Sequence, residues 1–313
     1  MSRYLLIGAG FSRNWGGPLS DEISGSLLGD LHDDPELAAA LRRGPFEDAF
    51  QGFQVPTDSG PIGDRLRRFQ TAVTTVFMRL NRTFLNKEFE FKNDLQFSMK
   101  RFLAQFDAIF TLNQDLLLEI HYMQTFIGQG KWTGVMLPGM TPSPPRPTAG
   151  PVDITTWTWR PSSDVQFGGP GFQPLYKLHG SSNWISETGE PLLIMGNAKT
   201  GAIERFPVLR SYHEQFAARL NEGGARLMVI GYGFLDEHIN SVIESASRVR
   251  GLGTYLVDPR GRDALLDPRT ERAIIRAKRD IEDIRLIGEL RRPLSTVFAG
   301  DAFAHGELMR FFG

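Results

Sequence analysis

Polar and glycine residues suited to binding or proton transfer recur where apolar runs stop. Gly8-Ala9-Gly10-Phe11-Ser12 follows Tyr4-Leu5-Leu6-Ile7, and Asn113 and Asp115 follow the apolar segment at 106–110. His179 follows Leu175-Tyr176-Lys177-Leu178, Gly231-Tyr232-Gly233 follows Leu227-Met228-Val229-Ile230, and Asp258 follows Thr254-Tyr255-Leu256-Val257. Gly8 and Gly10 let a backbone approach a pyrophosphate, while Ser12 and neighbouring amides can donate to phosphate oxygens. Asn113 can bind a ribose or position a water, with Asp115 orienting it. His179 can act as a general base or a ribose-hydroxyl partner, its neutral form being available near pH 7. Tyr232 offers a ring for stacking or packing, and Asp258 stands where an acidic residue accepts from adenosine ribose hydroxyls.

Each group also has an architectural role open to it. The glycine loop lacks the third glycine of a dinucleotide fingerprint, because position 13 is Arg, so it can be a plain tight turn. Asn113 and Asp115 can form an Asx-turn and cap, and a lone His179 can be a structural hydrogen-bonder. Asp236 can cap the helix that follows it or bind a ribose, capping being the simpler role. Asp258-Pro259 is an ordinary turn sequence, and Trp15 can pack or cover a ligand. The distinguishing feature is that the stretches at 8, 113, 179, 231 and 258 all follow predicted strands.

The elements that must position these groups alternate between strand and helix. Short apolar runs at 4–7, 175–178, 227–230 and 254–257 read as buried strands, and 106–110 as another. Residues from about 20 to 105 read as a helical insertion after the first strand. Ser20-Asp21-Glu22 supplies its N-cap and acidic first turn, and Leu66, Phe69, Val73, Phe77 and Leu80 recur at helical spacing within it. Residues 136–151 are rich in Pro and Gly and predict a long surface loop that can hold neither helix nor sheet interior. A turn-rich stretch is expected at 179–184, a helix at about 236–249, a charged helical stretch around 267–281 and a closing helix after Asp301. The alternation predicts an α/β fold with a doubly wound, mostly parallel, Rossmann-like sheet, the whole of 1–313 forming one domain. Ligands of such sheets bind outside the carboxyl ends of the strands.

Composition narrows the classes. The 313 residues, 41% hydrophobic and 23% charged, can bury a sizeable core. Lys and Arg (35) balance Asp and Glu (36), so no overall field draws the chain to nucleic acid or an anionic membrane. No apolar run approaches the roughly 20 residues of a membrane span, and the start lacks the pattern of a signal peptide. With 0 cysteines there are no disulfides, thiolate nucleophiles or cysteine-ligated metals, and the expected compartment is the cytoplasm. The histidines at 32, 121, 179, 213, 238 and 305 show no HxxxH or HExxH spacing, so no metal is expected.

Taken in order, GAGFS at 8–12, TLNQD at 111–115, KLHGS at 177–181, VIGYGF at 229–234 and YLVDP at 255–259 resemble the signature of sirtuin-like proteins. The resemblance implies an NAD pocket in which Asn113 and His179 occupy the catalytic positions. Gly8, Ala9, Gly10, Phe11 and Ser12 would lie on the phosphates, with Asp115, Gly231, Tyr232 and Asp258 lining the rest. Family deacetylases carry a four-cysteine zinc ribbon that this chain lacks. The resemblance therefore implies the zinc-free type, which includes bacterial anti-phage effectors that hydrolyse NAD to nicotinamide and ADP-ribose. Little room is left for a fused sensor, so activation is expected from homo-oligomer assembly or a separate protein such as a HerA-type ATPase. A non-catalytic module that binds NAD or ADP-ribose and a zinc-free deacylase are the alternatives.

Overall fold

The computed structural model describes residues 1–54, 61–123, 131–143, 154–162, 169, 171–196, 199–265 and 284–313. The charged stretch expected around 267–281 and the 144–151 part of the proline-rich loop lie outside the described residues. Seven strands form one sheet: β1 (Arg3–Ile7), β2 (Ala108–Thr111), β3 (Gly134–Met136), β6 (Phe172–Lys177), β9 (Arg226–Ile230), β10 (Gly253–Val257) and β11 (Leu286–Leu290). Their spatial order is β11-β10-β9-β1-β2-β6-β3, and every pairing is parallel. A second sheet has the order β4-β5-β7-β8, from β4 (Met140–Ser143), β5 (Thr158–Pro161), β7 (Gly180–Ile185) and β8 (Pro191–Leu193).

The central strand explains the sheet. Tyr4, Leu5, Leu6 and Ile7 are all buried, so β1 is covered on both faces, as an unbroken apolar run in a parallel sheet requires. The chain leaves β1, later pairs β2 on one side of it, and returns to pair β9 on the other. That reversal makes the carboxyl end of β1 the topological switch point. Ile7 is level with Thr111 on β2 and with Ile230 on β9, Ile230 with Val257 on β10, and Thr111 with Lys177 on β6. Five loops therefore leave the sheet along one edge.

Between β1 and β2, after the short helix α1 (Ala9–Ser12), α2 (Ser20–Leu31), α3 (Pro35–Arg43), α4 (Phe46–Gln54) and α5 (Pro61–Leu85) form the helical insertion, and α6 (Met99–Leu103) leads into β2. It has an apolar cluster of its own around Leu27, Leu31, Leu37, Leu41, Phe69, Val73 and Phe77. The first turn of α2 differs from expectation. Leu19, not Ser20, is the N-cap residue, and Glu22 reaches back to accept from the Leu19 N–H at 2.8 Å.

Two further expectations are corrected. Residues 140–143 of the proline-rich segment form a strand. Pro142 is tolerated there because β4 is the edge of its sheet, where a missing N–H costs nothing. The stretch after His179 is strand β7, its partners supplied by β5 and β8. The turn is compressed into Leu178-His179 between β6 and β7. Gly180, at φ +72°, makes it: a Cβ there would lie 1.9 Å from the Leu192 carbonyl oxygen, which only glycine avoids.

Candidate functional site

Asn113 and His179 lie just beyond the carboxyl ends of the neighbouring strands β2 and β6. Each lies two residues beyond a paired position, Thr111 on β2 and Lys177 on β6. Adjacent strands are about 4.8 Å apart. The Leu178 N–H donates to the Thr111 carbonyl at 2.9 Å, and the Ile194 N–H to the His179 carbonyl at 2.9 Å, fixing the corner that carries the imidazole.

A chain of side-chain bonds orients Asn113. The Ser12 hydroxyl donates to Asp115 Oδ2 at 2.8 Å and accepts from Asn113 Nδ2 at 3.0 Å. Because an ionised carboxylate can only accept, the Ser12 proton is committed to Asp115, and what Asn113 offers Ser12 must be its NH2 group. Asn113 Oδ1 is then turned away from Ser12, and it makes no hydrogen bond among the described residues. Asp115 also accepts the Leu117 N–H through Oδ1 at 3.0 Å, so it both orients the asparagine and fixes the turn. Ser12, expected to donate to phosphate, is 2% exposed and spends its proton inside this network.

The glycines have a packing reason. A Cβ on Gly8 would meet the Gly231 carbonyl oxygen at 2.6 Å, and one on Gly10 the Gly231 Cα at 2.7 Å. Gly231, at φ +61°, would meet Gly10 C and Phe11 N at 2.4 Å. The Gly10 N–H donates to the Gly231 carbonyl at 2.9 Å. The loops after β1 and β9 thus touch backbone to backbone at the switch point, with Ala9 exposed and Phe11 buried. Trp15 packs: it stacks on Phe89 at 4.9 Å and donates to its carbonyl at 3.1 Å.

Beyond β9, Tyr232 is buried and its hydroxyl sits among Asp236 and Asn240, donating to Asn240 Oδ1 at 2.9 Å and accepting the Asp236 N–H at 3.0 Å. Phe234 adopts φ +56°, a conformation unusual for a bulky residue, and the Asn240 amide holds its carbonyl at 2.8 Å. This strained loop delivers Asp236 to the site. Asp236 is the N-cap residue of α9 (Glu237–Arg250), yet its carboxylate does not cap. It pairs with Lys199 Nζ at 2.6 Å, and Lys199 also meets Glu47 of α4 at 3.0 Å. Asp258, at the end of β10, accepts from the Arg260 N–H at 2.8 Å and sits two strands from β1.

The fold gathers three histidines that are scattered in the sequence. His179 Nε2 is 3.2 Å from His238 Nε2 on α9, and His213 on α8 (Pro207–Leu220) lies beside both. Burial holds His179 well below the ordinary imidazole range and lowers His213 as well, and it lowers His238 to about 4. Burial pushes the Asp236 carboxyl up, but neighbouring His179 and Lys199 pull it down further, leaving it below the usual carboxylate range. With His179 neutral, the cation that keeps Asp236 ionised is Lys199. Among the described residues, no group of three or more His, Asp or Glu could hold a metal ion.

Sequence reasoning missed several members of this arrangement. Asn81 of α5 is 4% exposed, accepts the Leu116 N–H at 2.9 Å and donates to Ser182 Oγ at 3.1 Å, pinning the loop that carries Asn113. A signal existed: Asn81 falls four residues after Phe77 and three before Phe84, a polar residue on an apolar stripe. Lys177 belongs to the strand and to the KLHGS segment, and neither gives it a role of its own. It is buried, pairs with Glu119 at 2.6 Å and donates to the Asp115 carbonyl at 2.6 Å. For His213, His238, Lys199 and Glu47 no local pattern existed, since long-range packing alone brings them together.

Two cavities, of about 510 and 570 Å³, open at the opposite, amino-terminal edge of the sheet and share no residue with this cluster. The switch point outweighs them as the place for chemistry, because the oriented amide and the buried imidazole both lie along its edge.

The parallel sheet and the polar cluster along its carboxyl edge define a Rossmann-like α/β protein. More particularly, the chain belongs to the SIR2-like family: residues 107–284, over half its length, match a SIR2-like domain. Domains of this family are NAD-utilising enzymes. The matched span contains Asn113, His179, Gly231 and Asp258 but not the loop at 8–12, which the fold adds through Ser12 and Gly231. A search of curated proteins finds no match for the sequence. No helix among the described residues is long and apolar enough to cross a membrane.

Proposed function

We propose that the protein is an NAD glycohydrolase that converts NAD and water to nicotinamide and ADP-ribose. The observation that carries this reading is the Ser12–Asn113–Asp115 network, which presents an amide oxygen with no hydrogen bond among the described residues at the end of the strand next to the one that leads to a buried, neutral imidazole. Asn113 Oδ1 accepts from the attacking water or a ribose hydroxyl and so orients it. His179, uncharged at neutral pH, takes the proton that the water or hydroxyl loses. The glycine loop and the amides around it receive the pyrophosphate, while Gly231, Tyr232 and Asp258 border the adenosine side. Nicotinamide is a neutral leaving group once its bond to ribose breaks. The residues therefore need to stabilise an oxocarbenium-like transition state and admit one water.

The zinc-free sirtuin-like type to which the chain is similar supports a defence role by NAD depletion in the cytoplasm. The whole chain would then act as one catalytic domain, assembled into a homo-oligomer or switched on by a partner such as a HerA-type ATPase. Product analysis of NAD by mass spectrometry, with and without such a partner, tests the reading. The wild-type chain yields nicotinamide and ADP-ribose, and Asn113→Ala and His179→Ala each lose about a hundredfold or more of the rate. Unchanged turnover in both variants would sink the assignment. Binding of NAD with no product under any condition would make the chain a binding module instead.

A further inference from the structure

A contact between the Nε2 atoms of two neutral imidazoles needs one donor and one acceptor, so His179 and His238, 3.2 Å apart, share a single proton across that contact. The third ring is not a competitor for it. His213 Nε2 lies 2.9 Å from the Leu178 carbonyl, which can only accept, so His213 keeps its own proton on Nε2. His179 is 3% exposed, whereas His238 is half-buried at the start of α9. On its Nε2 side the buried ring is therefore separated from solvent by His238. The charged groups facing the pair are Asp236 from the β9–α9 loop and Lys199 from α7 (Lys199–Glu204), with Glu47 on α4 beyond Lys199 and Glu204 of α7 facing the neighbouring His213.

We propose that His238 relays to solvent the proton that His179 takes up during NAD cleavage. The inference rests on the glycohydrolase reading, because that reaction releases one proton: NAD⁺ and water give nicotinamide, ADP-ribose and H⁺. The ribose–nitrogen bond breaks with its electron pair going to the pyridinium, and a bond forms from the water oxygen to the ribose carbon. The proton lost by that water goes to His179 Nδ1, while the proton on His179 Nε2 passes to His238 Nε2. His179 ends neutral in its other tautomer. His238 ends as an imidazolium beside the Asp236 carboxylate and gives its Nδ1 proton to water, and the starting tautomers return once the emptied site re-equilibrates with solvent. His238 acts through His179 and is a positioning residue.

Two measurements on the full chain test this. In a histidine-labelled sample at neutral pH, nitrogen NMR is expected to find the proton of His179 on Nε2 and that of His238 on Nδ1, and both rings protonated on Nε2 would overturn the shared contact. In steady-state kinetics, His238→Gln is expected to lower kcat about tenfold with KM unchanged, and added imidazole to restore part of the rate of His238→Gly. NAD cleavage by His238→Gln at the wild-type rate overturns the relay and leaves the glycohydrolase reading intact. Absence of NAD cleavage by the wild-type chain, alone and with its activator, overturns that reading and the relay with it.

Discussion

Asn113 Nδ2 donates to Ser12 Oγ at 3.0 Å, joining two loops that are 101 residues apart in the sequence. The bond is directional because the serine proton is already given to Asp115. A small hydroxyl thus decides which end of the amide faces outward.

Ser12→Ala removes that decision. Asp115 Oδ2 loses its donor in a buried setting, at a cost of about 1–3 kcal/mol, and Asn113 becomes free to turn over. The expected result is a fall in NAD turnover of up to about a hundredfold with nucleotide affinity nearly kept, read by kinetics and by calorimetric titration. A variant that turns over NAD as fast as the wild type would show that Asn113 is held by something else.

Gly231 and Gly233 give a matched pair. A Cβ at Gly231 lands 2.4 Å from the backbone of Gly10 and Phe11 at a positive φ, whereas one at Gly233 meets only the Leu235 side chain at 3.7 Å. Gly231→Ala should separate the loops after β1 and β9, cost about 2 kcal/mol or more, and weaken NAD binding. Gly233→Ala should behave like wild type in thermal melting and in NAD titration. Equal behaviour of the two variants would refute the packing role assigned to Gly231.

Much of this site was legible in the sequence, for a physical reason. Strands covered on both faces have to be apolar throughout, so β1, β9 and β10 announce themselves, and the polar residues that end them mark the sheet edge. That signal puts Asn113, His179 and Gly231 just past strand ends, where the fold has them. β11 was missed because it is an edge strand whose Leu286 and Ile287 are exposed and whose Gly288 and Glu289 break the apolar pattern. The short helix Leu294–Val297 and strand β7 were obscured by Ser, Thr and Asn, which suit several conformations. His213 and His238 sit on separate helices, and only the packing of α8 and α9 over the sheet brings them to His179.

Among the described residues, Lys199 is the one cation paired with both Asp236 and Glu47. Burial raises the Glu47 carboxyl, with Lys199 opposing that rise. Lys199→Ala leaves two carboxylates facing each other without a counter-charge and is expected to cost about 3 kcal/mol. Glu47→Gln, whose partner keeps Asp236, should cost less than half of that. Urea unfolding of the two variants makes the comparison, and equal losses would mean that Asp236 is not held by Lys199.

Acid should unfold this protein through its histidines. Burial holds His121, His179, His213, His238 and His305 below the ordinary imidazole range, so the folded chain binds fewer protons than the unfolded chain once the pH drops below about 6.5. Stability from this source is complete above about pH 6.5 and falls as the pH goes down, by up to about 1.4 kcal/mol per pH unit for each histidine that titrates only when unfolded. Glu47 and Glu119, raised by burial, act in the opposite sense at the acid end and reduce the net slope. The depressed Asp236 contributes only below about pH 4. The urea midpoint should therefore be lower at about pH 5.5 than at about pH 7.5, and replacing both His213 and His238 by Gln should shrink the difference. A midpoint that does not move over this range would mean that the imidazole cluster is open to protons in the folded chain, in conflict with the burial of His179.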